Sequence, residues 1–297
     1  MVPLIALEEH YRDALTVKSC PADESEDQKR YTEALLAKLT TLGEERLTNL
    51  SANGIAIQQL AAFALIPLSH PLKAAEELTR CVSQVGFRGA LINNHYRGES
   101  LDNPKFWPVF ETAEKLDFPI YIHPALPIEH AVNARFTGNY PAAVSRTLAG
   151  NGWAWHADTG MAFLRLYLSG LFDAYPKVKV VLGHMGEMLP YQLDRIIQVF
   201  SRVAGTAGLK RQLRQVIDEN LWITTSGMFS LHPMACLLNV IKRDRLMFSV
   251  DYPQSSNELG RKFIDDLEQS GMVTRSELED IAYKNAARLL KLQTKLA

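Results

Sequence analysis

The chain has 297 residues, 47% of them hydrophobic and 22% charged, and 32 basic against 33 acidic residues leave a formal charge of −1. That balance gives no electrostatic footing for nucleic acid or an anionic membrane, and no run approaches the ~18 apolar residues of a membrane span. Cys20, Cys81 and Cys236 lie far apart without a CxxC spacing, which argues against a disulfide framework and for a reducing, cytoplasmic compartment.

Seven short apolar runs read as buried strands: LIALEEH (4–10), GIAIQQLAAF (54–63), FRGALINNH (87–95), PIYIHP (119–124), VKVVLGHMG (178–186), LWITTSG (221–227) and LMFSVDYP (246–253). Helical patterns such as PLKAAEELTRCVSQVG, PKFWPVFETAEKLD and LPYQLDRIIQVFSRVAG alternate with them. No change of composition and no Pro/Ser-rich linker breaks the alternation, so residues 1–297 read as one α/β domain with a parallel sheet. The sheet is either closed into a barrel or open and doubly wound; no GxGxxG follows the first strand, and an eighth strand is not visible. Residues 17–48 read as helical and polar. Residues 128–160 read as a long loop with Gly138, Gly150, Gly152 and Gly160, of the kind that closes over a site. The tail SELEDIAYKNAARLLKL reads as a helix outside the barrel, with Ser276 and Glu279 as its capping box.

The polar residues gather where the strands end. His10, His123, His184 and Asp251 each close a different strand, and in a parallel barrel those ends share the face that carries the chemistry. Strand alternation turns Glu8 and His10 the same way and Glu9 the other. Glu8, His10, His123 and Asp251 together make a mixed nitrogen and oxygen shell for one divalent cation, Zn²⁺ or alternatively Mn²⁺. His184 is a proton donor or acceptor beside it. Glu187 lies in the turn that follows, and Arg195, one helical turn after Tyr191, either anchors a carboxylate or phenolate or forms a surface ion pair. His70 and His232 precede prolines and read as helix-entry residues; His95 is placed to face the mouth. His130 and His156 fall in the long loop, where His156, flanked by Trp153 and Trp155, reads as a lid or subunit contact.

ALEEH, YIHP, VVLGHMGEMLPYQLDR and FSVDYP, in this order and at these intervals, resemble the decarboxylase branch of the amidohydrolase superfamily, which holds the γ-resorcylate, 2,3-dihydroxybenzoate, 5-carboxyvanillate and aminocarboxymuconate semialdehyde decarboxylases. The resemblance runs from residue 4 to about residue 290. It implies a distorted (β/α)₈ TIM-like barrel in a single domain with one divalent metal on Glu8, His10, His123 and Asp251. It also implies that His184 assists proton transfer and that Glu187 and Arg195 line or support the substrate site. Two positions depart from the common pattern: Glu8-x-His10 stands where many members have His-x-His, and Val250 stands where Ser is common. The expected activity is reversible, non-oxidative decarboxylation of a hydroxybenzoate-type acid, with Asp251 as proton donor, in a homodimer or homotetramer. The alternatives are hydrolysis of a lactone or amide on the same barrel, and a catalytically silent scaffold.

Overall fold

The computed structural model describes residues 2–7, 33–35, 37–38, 43–57 and 63–292. Eight parallel strands form the frame: β1 (Leu4–Ile5), β2 (Ile55–Ile57), β3 (Ala64–Leu65), β4 (Ala90–Asn93), β5 (Pro119–His123), β6 (Lys179–Leu182), β7 (Leu221–Thr224) and β8 (Leu246–Met247). β1 pairs with β2, and β3 to β8 make a six-stranded sheet in chain order. Just past β1 and β8, the Leu7 N–H donates to Ser249 Oγ at 3.2 Å. This is a (β/α)₈ barrel, distorted at its seams. The strand missing from the sequence reading is β3. GIAIQQLAAF, which reads as one strand, supplies β2 at its start and leads through Phe63 into β3, two residues long and therefore without a readable alternation.

Alternation along each strand sorts the core into two layers. Ala90, Ile92, Ile120, Ile122, Val180, Leu182 and Ile223 pack outward, against Leu78, Phe106, Phe110, Phe163 and Val216 of the surrounding helices. Ile5, Leu7, Tyr121, Val181, Trp222 and Met247 form the inner layer. His123, two residues beyond Tyr121, ends β5 on that inner face. Tyr121 OH lies 2.8 Å from Thr224 Oγ1 and 3.1 Å from Ser226 Oγ, which are 2.7 Å apart, so three hydroxyls close a ring inside the barrel.

The tail does not lie outside the barrel as its sequence suggested. Ala286, Leu289 and Leu290 pack into the inner layer, and Asn285 Nδ2 donates to the carbonyls of Arg243 and Leu246, each at 2.7 Å. Lys291 Nζ reaches Asp117 at 2.7 Å, just before β5 begins, so the tail closes the N-terminal end of the barrel. The capping box belongs to Thr274 and Glu277 instead of Ser276 and Glu279: the helix starts at Arg275, which leaves Ser276 already inside its first turn. The region read as a long loop holds three helices, Glu129–Phe136, Ala142–Ala149 and Ala154–Leu168, separated at its glycines. Cys81 and Cys236 are free thiols, and among the described residues no helix is long and apolar enough to cross a membrane.

Candidate active site

β6 ends in GHMGEM, and the backbone there turns left-handed for five residues: φ is 45° at His184, 57° at Met185, 88° at Gly186, 54° at Glu187 and 66° at Met188. Four of the five carry a Cβ, at a cost on the order of 1–2 kcal/mol each, so the surroundings must hold the turn in place. Gly186 cannot be replaced without strain, because a Cβ there would lie 2.8 Å from Ile223 Cδ1 and 2.9 Å from Pro190 Cγ. The turn brings residues three apart onto one side. His184 Nδ1 and Glu187 Oε1 meet at 2.7 Å.

The second oxygen of Glu187 is also taken. His156, near the start of the helix Ala154–Leu168, donates from Nδ1 to Glu187 Oε2 at 2.7 Å. The two imidazoles stand against each other with ring centroids 4.6 Å apart. Glu187 is 1% exposed. Burial alone would push its carboxyl up, but the charge of His184 and the hydrogen bonds from both histidines outweigh it and hold the group below the ordinary carboxylate range. Gly160 makes this closeness possible. A Cβ at that position would sit 2.5 Å from the carbonyl oxygen of Glu187.

On its other nitrogen, His184 Nε2 faces Asp251 Oδ2 at 3.6 Å. Asp251 follows β8 with φ at 66° and is 8% exposed. The ends of β7 and β8 are laced together beneath it: Thr225 Oγ1 donates to Ser249 O at 2.7 Å, and the Gly227 N–H donates to Val250 O at 3.0 Å. Gly227 has φ at 65°, and a Cβ on it would lie 3.4 Å from Asp251 Oδ2. The arrangement is a buried chain of groups that can pass or hold a proton, from His156 through Glu187 and His184 to Asp251, at the C-terminal ends of the strands.

A family model described as Amidohydrolase matches residues 42–292. The chain belongs to the amidohydrolase family. Among curated relatives, Decarboxylase orsB of Emericella nidulans is 39% identical over 327 residues, covering 99% of this chain and 98% of its own. Gamma-resorcylate decarboxylase of Rhizobium sp. is 35% identical over 239 residues, covering 78% of this chain and 70% of its own. A crystal structure of 2,6-dihydroxybenzoate decarboxylase complexed with 2,6-dihydroxybenzoate superposes with a TM-score of 0.84 at 29% identity, over 98% of this chain and 100% of that one. The dihydroxybenzoic acid decarboxylase of Polaromonas sp., with bound manganese and the inhibitor 2-nitroresorcinol, gives a TM-score of 0.84 at 26% identity over 99% of this chain and 98% of that one.

In this amidohydrolase, the structure separates the residues singled out in the sequence. His184, Glu187 and Asp251 come together at the site just described. Glu8 and His10 lie outside the described residues. Arg195 is on the exposed side of the helix Leu189–Phe200, one turn beyond the exposed Tyr191. His95 is occupied at the rim, with Nδ1 accepting from the Gly98 N–H at 3.1 Å and Nε2 3.2 Å from Leu126 O. His232 lies beside Ser230, the N-cap of the helix Leu231–Val240, with 3.3 Å between its Nδ1 and Ser230 Oγ. His156 is the residue the sequence reading misassigned. It is no lid contact but a partner of Glu187, and the signal that could have found it is Gly160, a glycine one helical turn later with no turn to make.

The donor set suits a divalent cation. His123 places Nδ1 2.6 Å from Pro124 O, the contact that makes Nε2 the ligating nitrogen of the neutral ring. Holding one ring nitrogen on a carbonyl or carboxylate is how a metal-binding histidine is normally fixed. His156, His184 and Glu187 also offer ligand atoms all within 4.8 Å of one another. A cation between them would have to displace the two imidazole N–H bonds to Glu187, and His156 Nε2 already accepts the Trp155 indole N–H at 3.1 Å. The triad is therefore hydrogen-bonded support for His184. A separate cavity of about 450 Å³ lies between the helices Glu129–Phe136 and Ala142–Ala149, and none of these site residues lines it.

Proposed function

We propose that this amidohydrolase is a carboxy-lyase that removes CO₂ from a hydroxybenzoate-type acid, reversibly and without oxidation. The observation that carries the reading is the buried chain ending at His184 Nε2 and Asp251 Oδ2, 3.6 Å apart at the mouth of the barrel. Relatives with decarboxylase names across nearly the whole chain support the same activity.

Glu8, His10, His123 and Asp251 would hold the metal, two carboxylates and two imidazoles that suit either Zn²⁺ or Mn²⁺. A divalent cation held there would supply Lewis-acid stabilisation of the negative charge on the bound acid. Asp251 delivers a proton to the ring carbon that bears the carboxylate, making that carbon tetrahedral. The bond to the carboxylate then breaks, its electron pair restores the aromatic ring, and CO₂ leaves. His184 stabilises Asp251 through the step, held in orientation by Glu187. Arg195 anchors the acid from the rim, and Glu187 supports the site from beneath. The whole chain, 1–297, acts as one barrel domain, cytoplasmic and assembled as a homodimer or homotetramer.

Gas evolution separates this reading from hydrolysis. CO₂ released from a 2-hydroxybenzoate by the metal-loaded protein supports it, whereas turnover of a lactone without CO₂ would replace it with the hydrolase on the same barrel.

A further inference from the structure

His156 has each ring nitrogen committed, and the two commitments fix its chemical form. Its Nε2 lies 3.1 Å from the Trp155 indole nitrogen, which can only donate, so Nε2 must accept and carries no proton. Its Nδ1 lies 2.7 Å from Glu187 Oε2, so Nδ1 is the nitrogen that bears the hydrogen. The ring is held as the Nδ1–H tautomer, the less common form of a free histidine in water.

The backbone beneath this pair is fixed as well. Thr159 Oγ1 donates to Trp155 O at 2.6 Å and accepts from Asn94 Nδ2 at 3.0 Å. Asn94 in turn donates its backbone N–H to the carbonyl of His123 at 2.9 Å. The helix that carries His156 is thereby tied to the ends of β4 and β5, while Gly160 lets it close on the Glu187 turn.

We propose that His156 is a positioning residue for the reaction, and that Trp155 sets its tautomer. By occupying Glu187 Oε2, His156 leaves Oε1 for His184 Nδ1 and so turns His184 Nε2 toward Asp251. A carboxylate held from one side only can rotate and offer either oxygen to His184. A carboxylate clamped between two imidazoles cannot. The rate effect rests on the decarboxylase reading above; the tautomer does not.

The test has two arms. In zinc-loaded protein with ¹⁵N-labelled histidine, long-range ¹H–¹⁵N correlation reports the tautomer of each ring, and His156 is identified as the signal lost in His156→Asn. The expected result is the Nδ1–H form in the native protein and a shift toward Nε2–H in Trp155→Phe. In the kinetic arm, His156→Leu lowers kcat by about 10–100-fold, the range seen when a group that orients a site residue is removed, with KM little changed. His156→Asn, whose amide can replace the Nδ1–H donor, recovers most of that loss. An Nε2–H tautomer in the native protein, or a folded His156→Leu with native kcat, would overturn the proposal. If the native protein releases no CO₂ from any hydroxybenzoate, the decarboxylase reading fails and the tautomer arm alone decides for or against His156.

Discussion

Glu187 Oε2 lies 2.7 Å from Nδ1 of His156, a residue 31 positions earlier in the chain, and this contact fastens the left-handed turn after β6 to the helix Ala154–Leu168. Replacing the carboxylate by an amide breaks more than one bond. Glu187→Gln can accept from only one histidine and turns an N–H toward the other, so we expect a loss of about 2–4 kcal/mol in stability, measured by urea denaturation.

The same group gives a sign for pH dependence. Its carboxyl is held below the ordinary value of 4.5 in the folded protein, so its stabilisation is complete above that value and is lost as pH falls through the depressed one. The stability gap between native protein and Glu187→Gln should therefore be widest near neutrality and narrow in acid. A gap that widens as pH falls would show that Glu187 is held neutral.

Two glycines are held by the space they leave. Gly160→Ala puts a methyl group 2.5 Å from the Glu187 carbonyl, and the resulting overpacking should cost about 1–3 kcal/mol and loosen the His156 contact. Gly227→Ala places a side chain at φ 65° and 3.1 Å from Ser255 Oγ, next to Asp251. For that variant we expect weaker metal binding, seen by titration calorimetry, with a smaller effect on the melting temperature than on affinity.

The hydroxyl ring inside the barrel predicts an asymmetry. Tyr121→Phe leaves Thr224 and Ser226 still bonded at 2.7 Å and should cost about 1 kcal/mol. Thr224→Val withdraws a hydroxyl that both Tyr121 and Ser226 use, and should cost more, on the order of 1–3 kcal/mol. Equal losses on denaturation would mean the ring does not act as a unit.

Much of this was legible in the sequence because the strands around the site are long enough to show their pattern. PIYIHP and VKVVLGHMG carry apolar runs that reach a histidine and LMFSVDYP one that reaches Asp251; His123, His184 and Asp251 stand out from those ends, whereas Glu187 takes its site role from the family resemblance. β3 was not legible, since two residues carry no period. The first half of the helix Ala154–Leu168 was hidden by Gly150, Gly152 and Gly160, which read as a loop although the last lies inside the helix and serves a close approach; FLRLYLSGLFDAYP reads as helical from Phe163 on. His156 was lost with it. The capping box was displaced by two residues because Thr274 and Ser276 both precede a glutamate by three, and only the backbone at Thr274, with ψ at 163°, decides between them.

The metal shell is tested by a pair of neighbours. If the strand alternation expected from the sequence holds through residues 8–10, Glu8 partners His10 and Glu9 does not, so Glu8→Ala should abolish metal binding and Glu9→Ala should largely spare it. Elemental analysis of both proteins after dialysis against metal-free buffer distinguishes them. Loss of metal in Glu9→Ala alone would reverse the assignment.

The most direct measurement is CO₂ release from 2,6-dihydroxybenzoate, followed by headspace gas analysis in the absence of oxygen. We predict CO₂ in equal amount to the phenol formed, loss of the reaction on removing the metal with a chelator, and its return on adding Mn²⁺ or Zn²⁺. Folded, metal-loaded protein that releases no CO₂ from this or related 2-hydroxybenzoates, or that releases it undiminished after chelation, would contradict the account.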